Sequence, residues 1–305
     1  MSANIVETVN ITKKYGNLTA VNSVSLSVRK GEIYGFLGLN GAGKTTTIKM
    51  LLGIARPTSG DSYILGKRIG AGRQNPWDKV GYLVEIPYSY PELTVMENIG
   101  AFCRLRGIRD SGTVRDIMKK LSLTRYENVR AANLSQGNSQ RLGLAKAMLH
   151  NPEVLILDEP SNGLDPSGIV EIREMLKELA FNSGVTILVS SHNLSEITKL
   201  ATRIGIIHNG KLLQEIDADK LDGFLRRSLL LDTRNRQETV SFLADKGISA
   251  VVNEKSLIEI LDEKAIMNPD EIASMLASAG YPPVLLKVEQ EDLETYFLRT
   301  IGEIK

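Results

Sequence analysis

Eight residues in register, Gly38-Leu39-Asn40-Gly41-Ala42-Gly43-Lys44-Thr45, have the types and spacing needed to hold a chain of phosphates. The spacing is G-x-x-x-x-G-K-[ST] without gaps. Glycines let the backbone bend until several N–H groups converge on one anion. Lys44 supplies a cation for the β- and γ-phosphates, and the Thr45 hydroxyl can ligate Mg²⁺. The loop lies between an apolar stretch, Ile33–Leu37, and a helix-like run, Thr45–Leu52, whose N-terminal dipole favours the same anion. A plain glycine turn would not need lysine and threonine in register after an apolar strand. By itself the loop selects neither ATP nor GTP.

Three further segments carry chemistry. Val154–Leu157 is an apolar strand that runs into Asp158 and Glu159. Asp158 is placed to hold the hydration shell of Mg²⁺, and Glu159 to act as general base or to polarise an attacking water. Alone, the two carboxylates would read as a solvated strand end. Ser190-Ser191-His192 ends the next strand, Val185–Val189. Ligands of a parallel sheet bind beyond the carboxyl ends of its strands, so His192 can donate to a γ-phosphate there. An isolated histidine would be structural, and His150 and His208 have no comparable setting. Leu134-Ser135-Gln136-Gly137-Asn138 precedes the helix-like run Ser139–Leu149. It reads either as an ordinary helix cap or as a second anion site.

The elements that must position these groups alternate strand and helix. Ile5–Ile11 and Val24–Val28 are β-type stretches around a turn at Gly16-Asn17. From about 93 to 149 the chain is rich in Leu, Met, Arg and Lys and reads as helical. Val154–Leu157, Val185–Val189 and Ile204–His208 follow, with helix Gly168–Ala180 between the first two. This predicts an α/β fold with a mainly parallel sheet and a helical insertion at about 86–150. After Asp217 the texture changes to βαββαβ with a helical tail: Ser228–Leu231, Arg236–Lys246, Ser249–Val252, Ser256–Leu261, Asp270–Ser278 capped by Asn268-Pro269, Val284–Val288 and Glu291–Ile301. Two domains are expected, 1–217 and a small α+β domain, 218–305.

Composition excludes several classes. With 37 basic and 36 acidic residues among 305, no global field points to nucleic acid or to an anionic membrane. The one cysteine, Cys103, cannot form an internal disulfide, which favours a reducing compartment and a buried inert thiol. No secretory signal opens the chain, and its apolar runs are far short of the roughly twenty residues that span a bilayer. A cytosolic location is expected.

Taken in order, these motifs resemble the nucleotide-binding subunit of an ATP-binding-cassette (ABC) transporter, from about Val6 to Asn209. Gly38–Thr45 is similar to the family's Walker A loop and Val154–Glu159 to Walker B. Leu134–Asn138 is similar to the signature, Ser161-Asn162-Gly163-Leu164-Asp165 to the D-loop, and His192 to the switch histidine. The resemblance implies a P-loop NTPase cassette with an antiparallel β subdomain and a helical subdomain, working with ATP and Mg²⁺. It assigns ATP contacts to Gly38, Leu39, Asn40, Gly41, Ala42, Gly43, Lys44, Thr45, Thr46, Glu85, Asp158 and His192. Tyr15 sits where the family stacks an aromatic ring on adenine; read alone it equally packs beside a strand. Thr45, Asp158 and Glu85 would face the metal, and Glu159, His192 and Lys44 the chemistry. Two subunits would close head to tail, with Ser135 and Gly137 of one chain capping the γ-phosphate held by Lys44 of the other. Asp165 would link the two sites. A separate transmembrane permease is implied, because the ATPase offers no path for a substrate.

The chain departs from the family twice. Gln136 replaces a signature glycine, so a left-handed backbone there would be costly. Glu85, in Gly81-Tyr82-Leu83-Val84-Glu85, stands where glutamine is usual. An ionised glutamate accepts but cannot donate. It reads either as a harmless loop change or as a feature similar to lantibiotic-immunity transporters. The tail, Val288 to Phe297, is similar to the ends of ATPases in bacitracin-resistance and drug exporters. Competing readings are a soluble ABC-type ATPase without a permease, an importer ATPase, and a small-molecule P-loop kinase. The first usually carries two cassettes or a long coiled coil, and the last leaves the signature unexplained.

Overall fold

The computed structural model describes residues 4–70, 75–85 and 87–302. Two compact units divide the chain, Met1–Asp219 and Lys220–Lys305.

Unit 1 opens with β1 (Asn4–Tyr15), β2 (Leu18–Val24) and β3 (Ser27–Arg29), and then β4 (Ile33–Leu37) leads into α1 (Lys44–Leu51). The stretch expected as one strand, Val24–Val28, is divided between β2 and β3, because both fold back to pair antiparallel with β1. β5 (Ser59–Ile64) and β6 (Lys67–Arg68) complete a five-stranded sheet. This is the antiparallel subdomain.

Next come β7 (Val80–Leu83), α2 (Val95–Arg106), α3 (Ser111–Lys120) and α4 (Gln136–Met148). The helices begin at strong caps: Thr94 and Glu97 form a reciprocal capping box, and Asp110 accepts from Gly112 and Thr113. β8 (Val154–Asp158), α5 (Pro166–Ser183), β9 (Thr186–Ser191), α6 (Leu194–Leu200), β10 (Arg203–His208) and β11 (Lys211–Asp217) finish the unit.

The second sheet has the order β11-β10-β4-β9-β8-β7. β10, β4, β9, β8 and β7 run parallel, and β11 is antiparallel at one edge. β4 and β8 are buried at every position, as expected of strands covered on both faces. β7 and β11 were not legible as strands: β7 is only four residues long, and β11, an edge strand reading Lys-Leu-Leu-Gln-Glu-Ile-Asp, lacks polar–apolar alternation.

A buried ion pair ties the starts of the central strands. Arg203 Nε lies 3.0 Å from Glu32 Oε1, and Glu32 Oε2 accepts the Arg29 N–H at 2.6 Å. The Arg203 guanidinium also stacks over Tyr34, 5.1 Å from the ring centroid. Burial first, and the Glu215 carboxylate bonded to its hydroxyl second, push the Tyr34 phenol well above its usual range.

Unit 2 contains β12 (Arg227–Asp232), α7 (Arg236–Asp245), β13 (Ala250–Val252), β14 (Ile258–Ile260), α8 (Glu263–Met267), α9 (Pro269–Ser278), β15 (Leu285–Gln290) and α10 (Leu293–Thr300). The sheet order is β13-β14-β12-β15. Leu229, Leu231, Ile258 and Ile260 meet Leu243, Ile272 and Leu276 of the helices in a separate core. The short α8 is an addition to the expected order. Asn268 does not cap α9 with its side chain, which instead donates to the Lys264 carbonyl at 3.2 Å.

Candidate functional site

The parallel register brings the chemistry together. Leu37 of β4 pairs with Ser191 of β9, and Asp158 of β8 pairs with Ser190. Thus β9 lies between β4 and β8, and the phosphate loop, the carboxylates and His192 leave the sheet at one level. Gly43, at φ 108°, closes the loop, and a Cβ there would come within 2.7 Å of the Ala20 carbonyl oxygen. α1 then starts at Lys44 with no side-chain cap, so its first N–H groups face the loop.

Lys44 is buried, and its Nζ donates to the carbonyls of Gly38 at 2.7 Å and Leu39 at 3.2 Å. Its third neighbour is Glu159 Oε1 at 3.2 Å. The other Glu159 oxygen lies 2.9 Å from His192 Nδ1. Lysine, glutamate and histidine therefore form one continuous chain of charge-assisted contacts. Beside it, the Thr45 hydroxyl donates to Asp158 Oδ2 at 2.7 Å, and Ser190 Oγ donates to Asp158 Oδ1 at 2.5 Å.

Glu159 has φ 50°, a left-handed conformation that costs a non-glycine residue on the order of 1–3 kcal/mol. Its N–H donates to the Ser190 carbonyl at 3.2 Å and to Ser190 Oγ at 3.1 Å. Its carbonyl accepts from Gln140 Nε2 at 3.1 Å. Ser190 and Gln140 hold the backbone that aims Glu159, and sequence reasoning gave neither this part. Ser190 could be suspected from its place before His192; Gln140 carries no local signal.

Glu85 also has a positive φ, 56°, and its carboxylate pairs with Lys49 at 2.6 Å, one helical turn beyond Thr45 on α1. The structure thus brings Glu85 to Lys49. Tyr15 ends β1, half exposed, with Lys13 Nζ 4.9 Å from its ring centroid.

Ser135, Gly137 and Asp165 form a second cluster, joined to one another through the D-loop segment and not to Lys44. α4 begins three residues earlier than expected, and Ser135 is its N-cap, accepting from Asn138 N–H at 3.3 Å. Gln136 is the first helical residue and is absent from the positive-φ positions, so the substitution costs no backbone strain. Its side chain lies over Gly163. A Cβ on Gly137 would stand 2.7 Å from the Gly163 carbonyl oxygen. Gly137→Ala is expected to lower stability by about 1–3 kcal/mol by forcing these segments apart, measurable as a lower urea midpoint at unchanged slope. Asp165 caps α5, accepting from Gly168 N–H at 3.0 Å, and the Ser167 hydroxyl and that N–H hold its carboxyl below the usual range.

The family model described as ABC transporter matches residues 21–162. Bacitracin transport ATP-binding protein BcrA of Bacillus licheniformis is 36% identical over 98% of this chain and 97% of its own length. Lantibiotic transport ATP-binding protein SrtF of Streptococcus pyogenes is 36% identical over 74% of this chain and 97% of its own. Among solved structures, the dimeric post-hydrolysis state of the ATP-binding cassette MJ0796, bound to ADP and Pi, superposes with a TM-score of 0.64 at 26% identity. It covers 70% of this chain and 98% of that one. The chain belongs to the ABC transporter family, as an ATP-binding and ATP-hydrolysing subunit.

Proposed function

We propose that this chain is the ATPase of an exporter that removes antimicrobial peptides such as bacitracin or a lantibiotic, conferring resistance or self-protection. The observation that carries the reading is the extent of the similarity to the bacitracin transport relative, which runs through unit 2 as well as the cassette. In this reading the cassette is 1–217, with its helical insertion at 86–150, and 218–305 is an accessory domain.

Lys44 and the loop from Gly38 to Thr46 would bind the phosphates of ATP, Tyr15 its adenine, and Glu159 with His192 would direct the attacking water. Thr45 and Asp158 present hard oxygen atoms side by side, which suits Mg²⁺. Among the described residues no cluster of three or more His, Cys, Asp or Glu could hold a metal unaided. When bound, Mg²⁺ would neutralise charge on the β- and γ-phosphates. The separate cluster of Ser135, Gly137 and Asp165 supports completion of the site by a second copy.

Among the described residues no helix is long and apolar enough to cross a membrane. We propose that the chain works on the cytoplasmic face of the membrane, held there by a separate permease. An exposed groove beside Val84, lined by Tyr88, Phe102 and Leu105, offers such a partner an apolar face. Affinity purification from detergent-solubilised membranes should recover a multi-span membrane protein, and bacitracin-type peptides should raise the ATPase rate of that complex. Recovery with ribosomes or DNA in place of a membrane protein would overturn the proposal.

A further inference from the structure

The sheet of unit 2 ends in two edge strands, the three-residue β13 and the six-residue β15. Among the described residues β15 pairs with β12 alone, and none of its six residues is buried. Val284, Leu285 and Val288 are exposed there, an unusual amount of apolar surface for an edge strand.

The direction of each main-chain group on β15 follows from its register. Leu229 pairs with Val288 and Leu230 with Lys287. Just beyond the strand, the Glu291 N–H donates to the Arg226 carbonyl at 2.7 Å, marking that pair as hydrogen-bonded. Such pairs alternate along an antiparallel ladder. Leu285, Lys287 and Glu289 therefore turn their main-chain groups toward β12. Leu286, Val288 and Gln290 turn theirs toward the open edge. Side chains alternate as well. Leu286 packs against the core of the unit, whereas Lys287 and Glu289 lie together on the opposite face, 3.1 Å apart.

We propose that β15 pairs antiparallel with β15 of a second copy of this chain, about a two-fold axis through Val288. In that register Val288 faces Val288 and Leu286 faces Gln290, so every outward N–H and carbonyl of the strand finds a partner. Lys287 of each copy then faces Glu289 of the other, at a non-hydrogen-bonded position where side chains approach most closely. A shift of two residues one way would set Lys287 against Lys287, and the other way Glu289 against Glu289. A shift of one residue would leave the outward main-chain groups unmatched. Among registers within two residues of it, charge and backbone thus select this pairing, which joins the two sheets into one and is isologous, as a closed dimer requires. This contact uses no residue of the nucleotide site and needs no ATP, so it stands or falls apart from the transport reading.

Sedimentation equilibrium of the full chain without nucleotide tests it. The wild type is expected to show a monomer–dimer equilibrium in the micromolar range. Lys287→Glu should weaken it by about tenfold or more, and the swap Lys287→Glu with Glu289→Lys should restore it. Val288→Pro removes an N–H that the β12 ladder does not use, so it should abolish the dimer and leave the thermal midpoint nearly unchanged. A monomeric wild type would overturn the proposal. So would a Lys287→Glu variant that dimerises as tightly as wild type, or a charge swap that fails to restore dimerisation while remaining folded.

Discussion

Glu159→Gln is expected to leave ATP binding within a few-fold of wild type while slowing hydrolysis by roughly 10²- to 10⁴-fold, the range for loss of a positioned general base. The substitution keeps the shape of the side chain and the backbone hydrogen bonds, donated to Ser190 and accepted from Gln140, that hold it at φ 50°. It removes the negative charge that lies between Lys44 and His192. Nucleotide affinity depends on the loop and the Lys44 ammonium, which the change leaves in place, so binding and turnover separate. With hydrolysis blocked, the ATP-bound state accumulates, and differential affinity for that state should trap a dimer. Equilibrium binding, phosphate release and, in a Val288→Pro background that removes the nucleotide-independent contact, sedimentation with and without saturating ATP check the three parts. A variant that remains monomeric under saturating ATP in that background, or that turns over at the wild-type rate, would reject the assignment of Glu159.

Most of this site was legible in the sequence because its parts are contiguous. The phosphate loop, Asp158 with Glu159, and Ser190 to His192 each follow an apolar strand, and parallel strands end at one level. What was illegible depends on contacts distant in sequence. Gln140 reaches the Glu159 carbonyl from α4, and the Lys49–Glu85 pair joins residues 36 positions apart. The local pattern of Leu134–Asn138 also misplaced the start of α4. Ser135 was expected one turn before the helix but is itself the cap, because the backbone turns helical at Gln136. In unit 2 the short apolar run Ser228–Leu231 marked the strand, while α8 at five residues is too short for a helical period to show. Glu85 shows a different limit. Its identity flagged a departure from the family, but its partner on α1 became visible only in the fold.

Lys44→Ala is expected to give the opposite fingerprint, a loss of nucleotide binding by about a hundredfold or more. A hydrogen bond to a charged group contributes about 1.5–3 kcal/mol, and this ammonium is the cation of the phosphate loop. Its setting shows why no other residue can substitute. The side chain is 5% exposed, and two of its donors are fixed by the Gly38 and Leu39 carbonyls. The ammonium is thereby held over the concave side of its own loop, where the third donor meets Glu159 at 3.2 Å. A phosphate entering the loop takes up that third direction, so part of the ordering cost is met before binding. Alanine removes the cation and leaves two carbonyl dipoles and the Glu159 carboxylate facing the phosphates, so repulsion adds to the lost attraction. Arginine should not rescue binding, because its planar fork cannot accept the pyramidal arrangement of carbonyls around a single nitrogen. Titration with a fluorescent ATP analogue provides the measurement. Binding within threefold of wild type in Lys44→Ala would show that the loop backbone alone holds the phosphates.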